Sequence, residues 1–397
     1  MIHRLILLLI IGLDALILFF QTSQISISFH EASQLYGEFS FLQVLINSSL
    51  GMFGSSDFAL RLPMISMHLL SVVLLYSIAG EYVKQNRNRI WMILIFTLLP
   101  GVISSALLID SAGLVIFGLM LFLYIYKKHS EKLALILLLP YSFVDAGFIY
   151  LFVSLSIFSI YKKKKDFMMV SFLSFVSSIY IYGVDVGGTP VGHFLDFIGI
   201  YSAIFTPIIF IYIVYILYRK ILTKEIELLW FISALPILLS LIFSFRQRVE
   251  IEHFAPYLII ALPLAAQTFE SSYRVRLKKF RGKYKTIFII SFVFLILNAL
   301  IVFFNKELYQ FIEKPKKHFA YKMHVAKELS QILKEKDINC VSADKKMSKR
   351  LKFYGIDKCT TYELKESLNK NNLSSDVTVS YNNKIVYSAD VTNINNR

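Results

Sequence analysis

The apolar runs of this 397-residue chain constrain its fold more than any other feature. They lie at 5–20, 58–80, 90–108, 111–126, 133–144, 147–160, 167–182, 201–218, 228–243, 254–267 and 286–304. A helix needs about 20 mostly apolar residues to cross a bilayer. The eleven segments therefore predict an α-helical polytopic membrane protein. Composition agrees, because only 17% of the residues are charged, against about 25% in soluble domains. The two segments around Pro140 and Gly147 are short and read as two half-helices or one broken span. The first run follows Arg4 and lacks a small-residue cleavage site, so it reads as a retained signal anchor.

The formal net charge of +15 would suggest a nucleic-acid partner in a soluble protein. Here the cations sit between apolar runs, as the positive-inside rule expects, so no nucleic-acid partner is inferred. One set of loops carries Lys84, Arg87 and Arg89; Lys127, Lys128 and Lys132; 162–165; Arg219, Lys220 and Lys224; and seven cations between 274 and 285. The alternate loops carry Glu31, Glu38 and Asp57; Asp110; Asp145; Asp185 and Asp196; and Arg246, Arg248, Glu250, Glu252 and His253. This alternation places the N-terminus in the cytoplasm and the second set outside the cytoplasmic (inner) membrane. An odd number of spans puts the C-terminal part outside as well.

Composition changes after Phe304. Residues 1–304 read as a transmembrane domain whose first outer loop is 21–57. Residues 305–397 read as a small extracytoplasmic α/β domain. Within it, 321–334 has a helical period and 339–343 suits a short strand. Segments 377–380 and 384–388 flank Tyr381-Asn382-Asn383 as a hairpin would. Cys340 and Cys359 are the only cysteines. They are either a disulfide closing a loop worth about 3 kcal/mol or two free thiols.

Several residues invite chemistry. Glu31 follows the first span, where a lipid-linked substrate presents its headgroup, and suits a general base; the plainer reading is a solvated loop acid. Residues 39–53 read as an interfacial amphipathic helix or a buried loop helix. Asp110 is an isolated acid at a membrane edge, a functional position by default and also a good helix cap. Arg246, Arg248 and His253 are outer cations that suit an anionic ligand such as phosphate, or pair with Glu250 and Glu252. Arg61 opens the second span and reads most plainly as a snorkelling side chain.

Taken in order, these pieces resemble the GT-C membrane glycosyltransferases, in the branch of the protein O-mannosyltransferases and the lipid A aminoarabinose transferase. The stretch Phe53-Gly54-Ser55-Ser56-Asp57-Phe58-Ala59-Leu60-Arg61-Leu62-Pro63 is similar to the family's start of the second span. Leu99-Pro100-Gly101, Asp110 and the segment 246–263 continue the series. The resemblance covers roughly 29–266. It implies a GT-C-like bundle of about eleven helices and a polyprenyl-phosphate sugar as donor. The acceptor is a lipid, glycan or protein. A divalent metal is optional. An outer-loop carboxylate deprotonates the acceptor, which attacks the anomeric carbon. The polyprenyl phosphate leaves, its charge held by Arg246 or Arg248, with His253 and Arg61 beside them as phosphate-binding residues. The family's first-loop pair is Asp-Glu. Here Glu31 takes the Glu position and His30 replaces the Asp. Three outcomes stay open: His30 serves as base, Glu31 works alone, or activity is lost.

Two further readings compete with the enzyme. One is a catalytically degenerate relative that binds lipid-linked sugar or a partner enzyme. The other is a flippase. Flippases carry broken helices and buried midplane charges. The charges here are expected in loops or at span ends, which ranks that reading last.

Overall fold

The computed structural model describes residues 2–183, 192–367 and 377–394, so the predicted outer-loop residue Asp185 lies outside it. In chain order the helices are α1 (Ile2–Gln24), α2 (Phe29–Leu35), α3 (Phe41–Phe53), α4 (Asp57–Ala79), α5 (Asn86–Leu98), α6 (Pro100–Leu107), α7 (Ser111–Lys128), α8 (Glu131–Val144) and α9 (Ile149–Lys162). They continue as α10 (Lys165–Tyr182), α11 (Phe194–Phe205), α12 (Pro207–Leu222), α13 (Leu228–Ser244), α14 (Ile251–Ile259), α15 (Leu262–Val275), α16 (Lys278–Phe303), α17 (Ala326–Glu335) and α18 (Lys345–Phe353). Two compact units result. The larger is 1–18 with 64–299, and the smaller is 19–63 with 300–397.

The protein is a helical membrane protein. Among the described residues, α1, α4, α7 and α16 are long and apolar enough to span a bilayer. The pairs α5/α6 and α11/α12 bring the number to six if each bent pair is one span. In α16 only 11% of the apolar window is buried. A helix that apolar and that bare needs lipid around it. About eleven apolar segments were expected, with those around Pro140 and Gly147 as two half-helices or one broken span, and the smaller number of long helices has local causes. The run 90–108 bends by 61° where Pro100 opens α6. The run 201–218 bends by 105° at Thr206, whose φ is 61°, just before Pro207. Proline disfavours helical geometry in the residue before it. Between α8 and α9 the chain turns through Asp145 and a short 3-10 turn, Ala146–Phe148, so the Pro140–Gly147 region forms two helices.

Loop contacts in the larger unit separate into the same two classes as the charges. At one end, Ser111 meets Asp145, Asp145 faces His253, and His193 N–H donates to the Ser244 carbonyl at 2.7 Å. At the other end, Lys128 pairs with Glu81, Lys164 with Glu131 at 2.7 Å, and Lys220 reaches Gln267 at 3.4 Å. Helix α7 runs from the first group to the second, about 27 Å at 1.5 Å per residue.

The smaller unit contains a three-stranded antiparallel sheet, with β1 (Tyr362–Glu366), β2 (Val377–Tyr381) and β3 (Lys384–Asn393) in the order β1-β3-β2. Asn382 and Asn383, at φ 49° and 62°, close the β2–β3 hairpin, the geometry a two-residue turn favours. Leu329, Leu333, Leu351 and Val379 pack in its core. The predicted helix at 321–334 begins later, at Ala326. The predicted strand at 339–343 amounts to two isolated bridges, Cys340 with Asp357 and Ser342 with Glu363. Cys340 and Cys359 are paired, with Cα atoms 5.4 Å apart. The first loop belongs to this unit. Ser26 N–H donates to the Met323 carbonyl at 2.8 Å, Ile27 N–H donates to the Tyr354 hydroxyl at 2.9 Å, and Arg350 Nε donates to the Ile27 carbonyl at 2.8 Å.

Candidate functional site

In the larger unit, three of the acid-bearing loops meet around Asp145. Ser111, the first residue of α7, donates from Oγ to Asp145 Oδ2 at 2.6 Å. Asp110 caps α7 by accepting from Ala112 N–H at 3.4 Å. Asp145 in turn caps the short 3-10 turn, its Oδ1 accepting from Gly147 N–H at 2.7 Å. Gly147 is required there, because a Cβ would lie 2.7 Å from Val115 Cγ2 and 3.0 Å from Asp145 Oδ1. The Tyr257 hydroxyl fixes the same turn by donating to the Gly147 carbonyl at 2.7 Å.

His253 completes the cluster. Its Nε2 is 3.9 Å from Asp145 Oδ1, and its Nδ1 is 3.2 Å from Glu250 Oε2. Burial lowers the imidazole pKa. The Glu250 hydrogen bond and the charges of Asp145, Glu252 and Glu250 outweigh it, so the net shift is upward. The same hydrogen bond, against some burial, lowers the Glu250 carboxyl. An imidazolium held between carboxylates can relay a proton or present charge to an anion. Arg246 and Arg248 precede this group on the same loop. Both are exposed, and neither forms an ion pair with Glu250 or Glu252 among the described residues. The carboxylates of Asp110 and Glu252 come within 4.8 Å of each other, so these two residues could hold a divalent cation. Asp145 and Glu250 were not singled out for chemistry in the sequence. The available signal for Asp145 was a lone acid two residues before a glycine, between two apolar runs.

In the smaller unit, His30 and Glu31 have different surroundings. His30 is exposed and Glu31 is buried. Ser28 and Glu31 form a capping box on α2, with Ser28 N–H donating to Glu31 Oε2 at 2.7 Å. Glu31 Oε1 is 3.4 Å from Arg61 Nη2. Arg61 does not snorkel. It is fully buried, and it also approaches Asp57 Oδ1 at 3.4 Å and donates to the Ser26 carbonyl at 3.2 Å. Asp57 further accepts from the Tyr354 hydroxyl at 2.8 Å and pairs with Lys327 at 2.9 Å.

Next to this network, His324 Nδ1 lies 2.9 Å from the Tyr309 hydroxyl. Burial and the positive charges of Lys306, His318 and Arg350 push its pKa down to about 3. Burial also lowers His318. A histidine near 6.5 when unfolded and near 3 when folded stabilises the fold above pH 6.5. That stability is lost as pH falls toward 3. At pH 5, His324 alone should destabilise the unit by about 2 kcal/mol relative to pH 7. Thermal unfolding of the full chain across this range should show the decline, and His324→Phe should flatten it. An unaltered slope in that variant would remove His324 as the cause.

One pair inside the bundle departs from the expectation that charges lie in loops or at span ends. Asp14, near the middle of α1, and His68, near the middle of α4, are buried with Oδ2 and Nε2 2.7 Å apart. His68 also stacks on Phe96 at 5.7 Å. The signal was present in the sequence as an acid inside an apolar run.

No family model and no curated protein matches the chain.

Proposed function

We propose that the protein is a glycosyltransferase of the cytoplasmic membrane. It moves a hexosyl or pentosyl group from a polyprenyl-phosphate donor to a lipid, glycan or protein acceptor on the non-cytoplasmic face. The observation that carries this reading is the meeting of the loops at 110, 145 and 246–253 in one acid–histidine cluster, with Arg246 and Arg248 exposed on the last of them. Two exposed guanidinium groups suit a departing phosphate. In the reaction, the acceptor hydroxyl loses its proton to a protein base. Its oxygen bonds to the anomeric carbon, and the bond from that carbon to the phosphate oxygen breaks. The phosphate leaves as an anion facing Arg246 and Arg248, and His253 supplies further positive charge. On the first loop, buried Glu31 positions the loop through Arg61.

Two features support the sidedness. The first loop and 300–397 belong to one compact unit, as they must if both lie on one side. The Cys340–Cys359 disulfide suits an oxidising compartment. Helix α3 adds an exposed apolar face of Phe41, Val44, Met52 and Phe53 suited to headgroup depth.

A deletion strain should lose one envelope sugar on mass analysis of its glycans, and the intact gene should restore it. Genes encoding Asp145→Asn or the double change R246Q/R248Q should fail to restore it. Loss of general acid–base catalysis typically costs about 10²–10⁴-fold in rate. Full restoration by all of these variants would end the proposal. A second reading, a flippase for lipid-linked sugars, draws on the two bent helix pairs and the buried Asp14–His68 pair. Purified protein that transfers sugar in detergent, with no vesicle present, would exclude it.

A further inference from the structure

The larger unit holds a second polar site, at the end of α7 away from Asp145. There the chain leaving α4, the end of α12 and helix α15 enclose a cavity of about 400 Å³. Lys84, Arg219, Lys220 and Arg274 line it, against the carboxylates of Glu225 and Glu270. Lys220 is already engaged, by Glu225 at 2.7 Å and Gln267 at 3.4 Å. Lys84, Arg219 and Arg274 form no ion pair among the described residues, and Arg219 donates only a long hydrogen bond to Ser272 Oγ at 3.4 Å. Tyr82 is buried in the cavity wall, and its hydroxyl faces the Glu227 carboxylate.

Cations on cytoplasmic loops are expected of any membrane protein. That rule asks for positive charge near the bilayer. It does not ask for three cations from three separate segments, none of them in an ion pair among the described residues, to line one recess. The volume falls within the range of small-ligand pockets. Guanidinium forks match phosphate oxygens.

We propose that this cavity binds a phosphate-bearing ligand, either a soluble diphosphate or the headgroup of an acidic phospholipid. The site is separate from the Asp145 cluster and stands whether or not the protein transfers sugar.

The test uses the full chain in nanodiscs of phosphatidylcholine. Labelled pyrophosphate should bind saturably. Alternatively, nanodiscs containing phosphatidic acid should yield protein that retains that lipid in native mass spectra. The first result identifies a soluble source and the second a lipid source. The double variant R219Q/R274Q should weaken whichever is seen by about tenfold or more. Lys132→Gln, a cation of the same loop class outside the cavity, should leave it unchanged. If the double variant does not fold, Lys84→Gln takes its place, with a smaller loss expected. Absence of both ligands, or equal binding by the cavity variants and wild type, overturns the proposal.

Discussion

Replacing Arg61 by Met should destabilise the smaller unit by about 3–5 kcal/mol, the usual consequence of breaking a buried ion pair from one side. Arg61 is fully buried, and Glu31 is 1% exposed. Removing the guanidinium takes a close cation from that carboxylate in a place water does not reach, leaving it Ser28 N–H and the Arg350 charge. Asp57 suffers less, because Lys327 and Tyr354 still hold it. Folded domains have only about 5–15 kcal/mol in hand. The variant should therefore show a large fall in unfolding temperature or fail to accumulate. Adding Glu31→Gln to Arg61→Met removes the buried charge that has lost this cation, so the double variant should be more stable than the single one. Unfolding temperatures of the single and double variants in detergent decide the matter. A single variant that melts with wild type would show that the pair contributes nothing.

The second large effect is expected at His68. His68→Leu strands Asp14 among apolar side chains near the middle of two spanning helices. An acid at the centre of a membrane helix costs about 2.5–3.5 kcal/mol on insertion scales. The double change D14L/H68L removes both groups and should recover most of that loss, since apolar residues often replace a buried pair with little penalty. The coupling between the two sites, read from the four proteins of the cycle, should be at least 1 kcal/mol. A coupling near zero would mean that the two side chains do not depend on each other.

The parts of this fold that were legible in the sequence depend on composition or on short-range geometry. Loop classes could be read because lysine and arginine crowd one side of a membrane whatever the helices do. The same classes reappear in the contacts of Asp145 with Ser111 and of Lys128 with Glu81. The hairpin at Asn382-Asn383 could be read because few residues accept positive φ. Asp110 as a cap of α7 was legible for a similar local reason.

The partnerships between distant residues were not legible. Arg61 meets Glu31 from 30 positions away, and Asp14 meets His68 across 54. No periodicity connects such residues, because helix packing chooses the partners. The bend at Thr206 was also missed. Hydropathy is continuous through 201–218, and only the backbone at Thr206-Pro207 breaks it. At the candidate site, His253 was visible as an outer cation. Its placement between Asp145 and Glu250 depends on the turn that Gly147 permits.

The smaller unit is assembled from 19–63 and 300–397. Its two pieces leave the ribosome far apart in time. At about 5–20 residues per second, the intervening bundle takes roughly 10–50 seconds to make. Throughout that interval the edge formed by Ser26, Ile27 and Arg61 lacks Met323, Tyr354 and Arg350. Completion of this unit therefore waits until the bundle has been made, and a chain that stops short of 300–397 leaves its first loop without its partners. Quality-control proteases that cut exposed loops would find 21–57 open in every truncated product and closed in every finished one.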